Sequence, residues 1–297
     1  MADDALTAVR QAYAETVCAK GGCADPRVVA AFAATRREAY SPPGPWQVYR
    51  PSQAPPYFDY ERTPSAQARA LYADLSVELA AGSFINAGLP SVIASWLADT
   101  APPAGGSVVQ VGAGLGYYTA ILAALVGPGG RVRAAEIDPR LGRQAKRNLA
   151  HLPQVALAVG DGAALPVEAA DLVLVHAGIS DLPLAWLRGL SPRGALVVSL
   201  TFTDQGFKTI GLGVTLKVRP AGRDRYAARF VSMPYITTSA SLRSARGEAE
   251  LRRAMEGAFD YSDIASIRLD AHARDGSCWL HRDGWCVSRR PAEPARP

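Results

Sequence analysis

Five short apolar runs alternate with helical segments between residues 107 and 200, and this rhythm constrains the fold more than any other feature of the chain. The runs are Ser107–Val111, Arg131–Ile137, Val155–Val159, Asp171–Val175 and Ala195–Leu200, and between them lie Tyr118–Val126, Pro139–Leu149 and Leu182–Leu190. Runs this short and rich in β-branched residues read as strands covered on both faces. Strands separated by helices join in parallel through right-handed crossovers. The pattern therefore predicts an α/β chain built on a doubly wound parallel sheet. At 297 residues, 48% hydrophobic, the chain is long enough to bury a sizeable core without disulfides.

Texture divides the sequence into three zones: a helical amino-terminal region over 1–103, a core over 104–235, and an α+β zone over 236–297. In the first zone, Ser41-Pro42-Pro43-Gly44-Pro45 through Pro55-Pro56 reads as a loop, because proline removes donors and restricts its neighbours. Its aromatics (Trp46, Tyr49, Tyr57, Phe58, Tyr60) either pack on the core or line a cleft. Helices are expected over Ser65–Ala81 and after Pro90, from Ser91 to Leu97. Beyond Leu200, Val214–Arg219 and Tyr226–Met233 alternate like strands around the turn at 220–224. A helix is expected over Glu248–Phe259, and a hairpin turning at Arg282-Asp283-Gly284 between Cys278–Leu280 and Trp285–Ser288. Pro291–Pro297 is expected to be disordered.

Charge and cysteine content exclude several classes. The net charge of +5 is mild and spread out, whereas a nucleic-acid protein more often carries a clustered basic stripe. No uncharged apolar run reaches 18 residues, so no membrane span is expected. The opening Met1-Ala2-Asp3-Asp4 is acidic where a secretory signal is basic and then apolar, and four cysteines are too few for a disulfide scaffold; the expectation is a soluble, cytoplasmic protein.

The chemistry concentrates at strand ends. Gly112-Ala113-Gly114-Leu115-Gly116 follows the first strand and opens a helix, which brings backbone amides close to a ligand. A dinucleotide fingerprint needs glycine at 117, where this chain has Tyr117, so the loop suits a nucleoside without a pyrophosphate. Glu136, about 20 residues past the loop, is placed to accept bonds from two ribose hydroxyls. Asp161, within Gly160-Asp161-Gly162 after the third strand, is placed for an amino group of a base. Any one of these is ordinary turn chemistry; three at successive strand ends favour nucleoside binding.

Gly112-Ala113-Gly114-Leu115-Gly116-Tyr117-Tyr118-Thr119-Ala120, Glu136-Ile137-Asp138-Pro139 and Gly160-Asp161-Gly162 together resemble the class I methyltransferases, and among them the protein-L-isoaspartate O-methyltransferases. Asp25–Phe32 with Arg36, Arg37 and Tyr40, and Ser191–Val197, carry the same resemblance. It implies a Rossmann-like methyltransferase sheet and S-adenosyl-L-methionine as cofactor. Gly112, Ala113, Gly114, Gly116, Tyr117, Glu136, Ile137, Asp161 and Gly162 would hold that cofactor. It also implies a peptide, protein or small-molecule methyl acceptor, with nucleic acid disfavoured and the oligomeric state open. The family's G-x-T-I-S-x-P acceptor segment corresponds here to Gly82-Ser83-Phe84-Ile85-Asn86-Ala87-Gly88-Leu89-Pro90. Asn86 stands where the family has Ser, with two more residues before the proline. Some relatives methylate an aspartate of a ribosomally made peptide, whose ester closes to an aspartimide. An altered acceptor segment and added carboxyl-terminal zone resemble that kind of enzyme.

The expected reaction is O-methylation of an Asp or isoAsp carboxylate. The alternatives are a methyltransferase of a small natural product, a tRNA methyltransferase, and a non-catalytic cofactor-binding module. A carboxylate needs no strong base, only positioning and donors, for which Ser83 and Asn86 are candidates; Asn86 also reads as a turn residue. His176, after the fourth strand, is either a base for a phenol or amine acceptor or a packed histidine. Cys278, His281 and Cys286, with His272 nearby, lack the C-x-x-C pair of most zinc sites, and on a regular hairpin Cys278 and His281 face opposite sides. No metal is expected, and Trp279 and Trp285 are read as filling the hairpin's packing face. The Arg-rich segment Ala245–Phe259 reads as a solvated face able to attract an acidic peptide.

Overall fold

The computed structural model describes residues 2–51, 58–83, 85–203, 209–222, 224–257 and 260–292. In chain order the first elements are α1 (Ala2–Lys20), α2 (Pro26–Ala34), β1 (Gln47–Pro51), β2 (Phe58–Arg62), β3 (Ser76–Val77) and α3 (Pro90–Leu97). The alternating region supplies β4 (Ser107–Val111), α4 (Tyr117–Val126), β5 (Arg131–Glu136), α5 (Pro139–Leu149), β6 (Val155–Val159), β7 (Ala170–Ile179), α6 (Leu184–Arg188) and β8 (Leu190–Thr203). The chain ends with β9 (Ile210–Pro220), β10 (Arg225–Ser232), β11 (Tyr235–Thr237), α7 (Ala245–Glu256), β12 (Ser266–Arg268), β13 (Cys278–Arg282) and β14 (Trp285–Ser288). All five strands and the three helices expected over 107–200 are present. No helix among the described residues is long and apolar enough to cross a membrane.

The chain divides into two compact units, one of residues 1–106 and 112–162, the other of 107–111 and 163–297. In the first, α1 and α2 bury Tyr13, Val17, Val28 and Phe32. Asp25 caps α2, accepting a bond from the Arg27 amide ahead of the N-terminal Pro26. Asp138 caps α5 in the same way, accepting from the amides of Arg140 and Leu141. Strands β5 and β6 run parallel in register from Val132↔Val155 to Glu136↔Val159. Gly142 lets α5 lie close on β6, since a Cβ there would sit 3.0 Å from Val159 Cγ2.

Two expectations for this unit fail. No helix forms over 65–81; the segment has a 3₁₀ turn at Ala68–Leu71 and the short strand β3. The reason is long-range: the fully buried guanidinium of Arg37 accepts no helix around it and instead captures the carbonyls of Leu71 (2.6 Å), Ala73 (3.0 Å) and Leu75. A carbonyl turned toward a buried cation is lost to the i→i+4 ladder. The proline-rich loop is also shorter than expected, because Gln47–Pro51 and Phe58–Arg62 pair as antiparallel strands, with β3 on the other side of β1. Trp46 and Val48 are buried with Leu71, Leu75 and Val77, so packing is the role of that tryptophan. Pro55, Pro56 and Tyr57 lie outside the described residues, as do the side chains of Phe58 and Tyr60.

In the second unit β4, β7 and β8 are parallel, and β8 then turns antiparallel to β9. From there the order runs β9, β10, β12, β14 and β13, all antiparallel. The buried core includes Val173, Leu196, Leu216, Trp186, Trp279 and Trp285, so both hairpin tryptophans do face the core. Helix α7 covers most of the expected 248–259; residues 258–259 lie outside the described set, as do 293–297 of the tail. Its arginines are largely paired: Arg246 with Glu250 (2.8 Å) and Asp283 (3.2 Å), and Arg252 lies over the Phe202 ring at 4.4 Å.

The β13–β14 hairpin differs from the expectation in one respect. Cys278 pairs with Ser288 and His281 with Cys286, with the register shifted between Cys278 and Leu280. Ser288 and Cys286, two apart on β14, share a face. The bulge therefore turns Cys278 and His281 to the same side, where an unbroken strand opposes them.

Candidate active site

The glycine loop, the acidic strand end and the acceptor segment all belong to the first unit. Gly112, Gly114 and Gly116 have φ of 83°, 58° and 99°, a region that favours glycine. Space excludes a side chain as well: a Cβ on Gly114 would lie 2.7 Å from Leu79 Cδ1, and one on Gly116 2.9 Å from two atoms of Leu149. The third glycine thus falls at 116 because the loop closes onto α5 there. The amides of Gly112 and Ala113 both donate to the Ala135 carbonyl (2.9 and 3.0 Å), tying the loop to β5. Asn148 of α5 donates to the Leu115 carbonyl at 2.9 Å.

Glu136 organises the site. Its Oε2 accepts from the Gly114 amide (2.7 Å) and its Oε1 from the Asp138 amide (3.0 Å). Its own carbonyl accepts from Gly160 at 2.8 Å, which brings the Gly160-Asp161-Gly162 turn beside it. Burial raises the Glu136 carboxyl above its usual value, while the amides of Asp138 and Gly114 pull the other way. A carboxylate offers about four lone-pair positions, so two amides leave capacity for the vicinal hydroxyls of a ribose. Ile137 next to it is 42% exposed, an apolar surface at the rim of the loop suited to the flat face of a base. Asp161 is exposed and Gly162 buried. Tyr117 turns the other way: its hydroxyl pairs with that of Tyr13 at 3.1 Å and its ring lies 5.6 Å from the Arg37 guanidinium. What residue 117 offers the loop is its amide in the first turn of α4, where helix amides have no intrahelical partner.

The acceptor segment folds back on β3. Leu79 donates to the Ile85 carbonyl (2.8 Å) and Ala87 to that of Val77 (2.8 Å). Leu79, Leu115 and Leu141 are buried together, with Ile85 and Ala87 packed against them, so the segment rests on the glycine loop. The Tyr118 hydroxyl donates to the Gly88 carbonyl at 3.1 Å, a tie from α4. Ser83 Oγ donates to the Ala80 carbonyl (2.6 Å) and accepts from the Ile85 amide (3.1 Å). Asn86 Oδ1 accepts from Ser76 Oγ (2.7 Å) and from the Gly88 amide (2.9 Å). Both candidates therefore shape the turn; Phe84 between them lies outside the described residues.

His176 belongs to the second unit, on β7 where its register with β8 slips between Leu174 and Gly178. Burial pushes its imidazole down to about 4, so it is uncharged at neutral pH. Sequence reasoning missed Arg37 as the organiser of the segment ahead of the acceptor turn. Its only signal was its place among the residues carrying the family resemblance, because a lone arginine in a helical region reads as surface.

A mixed α/β sheet whose β4, β7 and β8 run parallel, with a left-handed glycine loop after β4, has the Rossmann-like methyltransferase architecture. Comparison with known proteins narrows this. Residues 9–211 match the family model "Protein-L-isoaspartate(D-aspartate) O-methyltransferase (PCMT)". The chain belongs to that family. A protein-L-isoaspartate O-methyltransferase of Methanopyrus kandleri is 37% identical over 144 residues, 47% of this chain and 63% of the relative, so the match spans less than two thirds of that protein. A solved protein-L-isoaspartate O-methyltransferase superposes with a TM-score of 0.59 at 19% identity, covering 83% of this chain and 69% of that one. A Plasmodium falciparum protein assigned to the same activity, solved in complex with S-adenosyl-L-homocysteine, gives 0.54 at 15% identity, covering 77% of this chain and 97% of that one. The last two likenesses bear on the fold.

Proposed function

We propose that the protein is an S-adenosyl-L-methionine-dependent carboxyl O-methyltransferase whose acceptor is an isoaspartyl or aspartyl side of a peptide or protein. The observation that carries the reading is Glu136: a buried carboxylate locked by two amides beside a left-handed glycine loop, in a chain of the protein-L-isoaspartate O-methyltransferase family. Glu136 holds the ribose hydroxyls, Ile137 backs the base, Asp161 accepts from its amino group, and the loop amides at Gly114 and Gly116 approach the rest of the cofactor. A carboxylate oxygen attacks the sulfonium methyl, the C–S bond breaks with its electrons going to sulfur, and a methyl ester and S-adenosyl-L-homocysteine leave. An anion and a cation become two neutral centres, so the transition state carries less charge than the reactants and benefits from exclusion of water. No proton moves, and the demand is alignment with reacting atoms about 3–3.5 Å apart.

Ser83 and Asn86 are the proposed acceptor-side residues, acting through the turn they hold over Gly114. Asn86 where the family has Ser bears on which carboxylate is taken. Incubation with labelled S-adenosyl-L-methionine and matched isoaspartyl and aspartyl peptides separates the readings by mass spectrometry. Base-labile labelling of the isoaspartyl peptide alone assigns general repair. Silence in both arms with cofactor binding intact by calorimetry removes general repair and directs the search to a dedicated peptide.

A further inference from the structure

The bulge in the β13–β14 hairpin has a chemical consequence. It assembles His272, Cys278, His281 and Cys286 so that one ligand atom from each lies within 4.8 Å of all the others. The cluster lies within the second unit. His272 arrives from the segment before β13, Cys278 opens that strand, and His281 faces Cys286 across the ladder. Both cysteines are buried, and all four cysteines of the chain are free thiols.

As a purely hydrogen-bonded cluster it is poorly satisfied. Thiols are weak donors and acceptors, and Cys278 Sγ meets His272 Nε2 at 3.4 Å, Asp275 Oδ1 at 3.6 Å and the Cys286 thiol, long contacts within the cluster and its own turn. His281 Nδ1 is buried with no hydrogen-bond partner among the described residues. Such orphans are rare in folded proteins and call for an explanation. His272, by contrast, is arranged as metal-bound histidines are: Nδ1 lies 2.8 Å from the Asp270 carbonyl, leaving Nε2 toward the cysteine. The guanidinium of Arg268, which pairs with Asp270 at 2.6 Å, stands on β12 opposite Cys286.

We propose that His272, Cys278, His281 and Cys286 bind one Zn²⁺ in a closed tetrahedral Cys₂His₂ site. Zinc bonds of about 2.0–2.1 Å to nitrogen and 2.3 Å to sulfur put neighbouring ligand atoms about 3.3–3.8 Å apart. The Cys278–His272 separation of 3.4 Å already meets this, and the widest pair needs to close by about 1 Å. Two thiols lose their protons on binding, so two thiolates balance the ion and the site is neutral. The mixed nitrogen and sulfur set in a tetrahedron selects zinc over hard cations. Four protein ligands leave no open position, so the role is structural: the ion staples β13, the end of the sheet order among the described residues, and the segment before it to β14.

The test uses the full chain purified without chelator. Elemental analysis is expected to return about one zinc per chain, and strong chelation to lower the unfolding midpoint while releasing four reactive thiols on denaturation. Cobalt added to the chelated protein should restore the midpoint and produce the visible ligand-field bands of a tetrahedral thiolate site. His272→Ala, at a half-buried ligand outside the strands, should fold and lose most of that signal. Less than about 0.1 metal per chain, with no cobalt spectrum from reduced protein, overturns the proposal, as does a Cys278–Cys286 disulfide in the intact mass of freshly purified protein.

Discussion

The largely enclosed imidazole of His176 makes stability acid-sensitive in a way that can be isolated. Its folded value of about 4 lies below the ordinary 6.5 because burial disfavours the cation. Above 6.5 both folded and unfolded chains hold it neutral and it contributes no pH dependence. As pH falls below 6.5 the unfolded chain takes up a proton that the folded chain refuses, so stability declines until pH approaches 4, where the folded form protonates too. At about 1.36 kcal/mol per unit the difference integrates to about 3 kcal/mol. His176→Gln keeps a polar group of similar size and removes the titration. Urea denaturation of both proteins at intervals from about pH 8 down to 4 should show the wild type losing about 3 kcal/mol more than the variant, mostly below 6.5. Each protein's own unfolding free energy at neutral pH sets the origin of its curve, so any fixed cost of the glutamine cancels. Parallel curves would refute the reasoning, as would an NMR titration of His176 with a midpoint near 6.5.

Three further outcomes follow from the first unit. Glu136→Gln should weaken S-adenosyl-L-homocysteine binding by about 150-fold or more in calorimetry, since two charge-assisted bonds at about 1.5–3 kcal/mol each are lost. Wild-type affinity should rise with pH through the raised Glu136 value, as the acceptor ionises, whereas the variant stays flat; equal affinities would show that the ribose is held elsewhere. Gly116→Ala should cost about 3 kcal/mol in denaturant unfolding, from a side chain at φ 99° and a Cβ 2.9 Å from Leu149, and a cost below about 1 would mean that the loop and α5 shift readily. Arg37→Met should cost about 2 kcal/mol or more by taking the donor from the buried carbonyls of Leu71 and Leu75, while that of Ala73 keeps the Leu75 amide. Urea unfolding measures it, and a loss under 1 kcal/mol would mean that those carbonyls reorganise into a helix as their local pattern favours.

What was legible in the chain was whatever neighbours in sequence decide. The five strands and their helices emerged because burial on both faces writes itself as short β-branched runs, and Asp25-Pro26 and Asp138-Pro139 mark helix starts by capping within three residues. The glycine loop and Glu136 were readable for the same reason, since a strand end, a turn and a helix start occupy one short stretch. Where distant groups decided, the reading failed. Residues 65–81 carry helical composition, but a cation some 34 residues away in sequence takes their carbonyls.

The hairpin tryptophans were placed correctly and the cysteine and histidine faces were not, because one bulged residue inverts the alternation that any strand pattern assumes. Asn86 and Ser83 were recognisable as candidate donors, yet only the folded turn revealed that their oxygens are already engaged. Sequence by itself determined the α/β class, the order of elements over 107–200 and the position of the nucleoside-type loop, because periodicity and capping act over a few residues and are inherited by any structure the chain adopts. Tertiary structure alone decided the path of 65–90 around Arg37 and the meeting of His272, Cys278, His281 and Cys286, because buried charge satisfaction and strand register depend on groups that sequence spacing does not bring together.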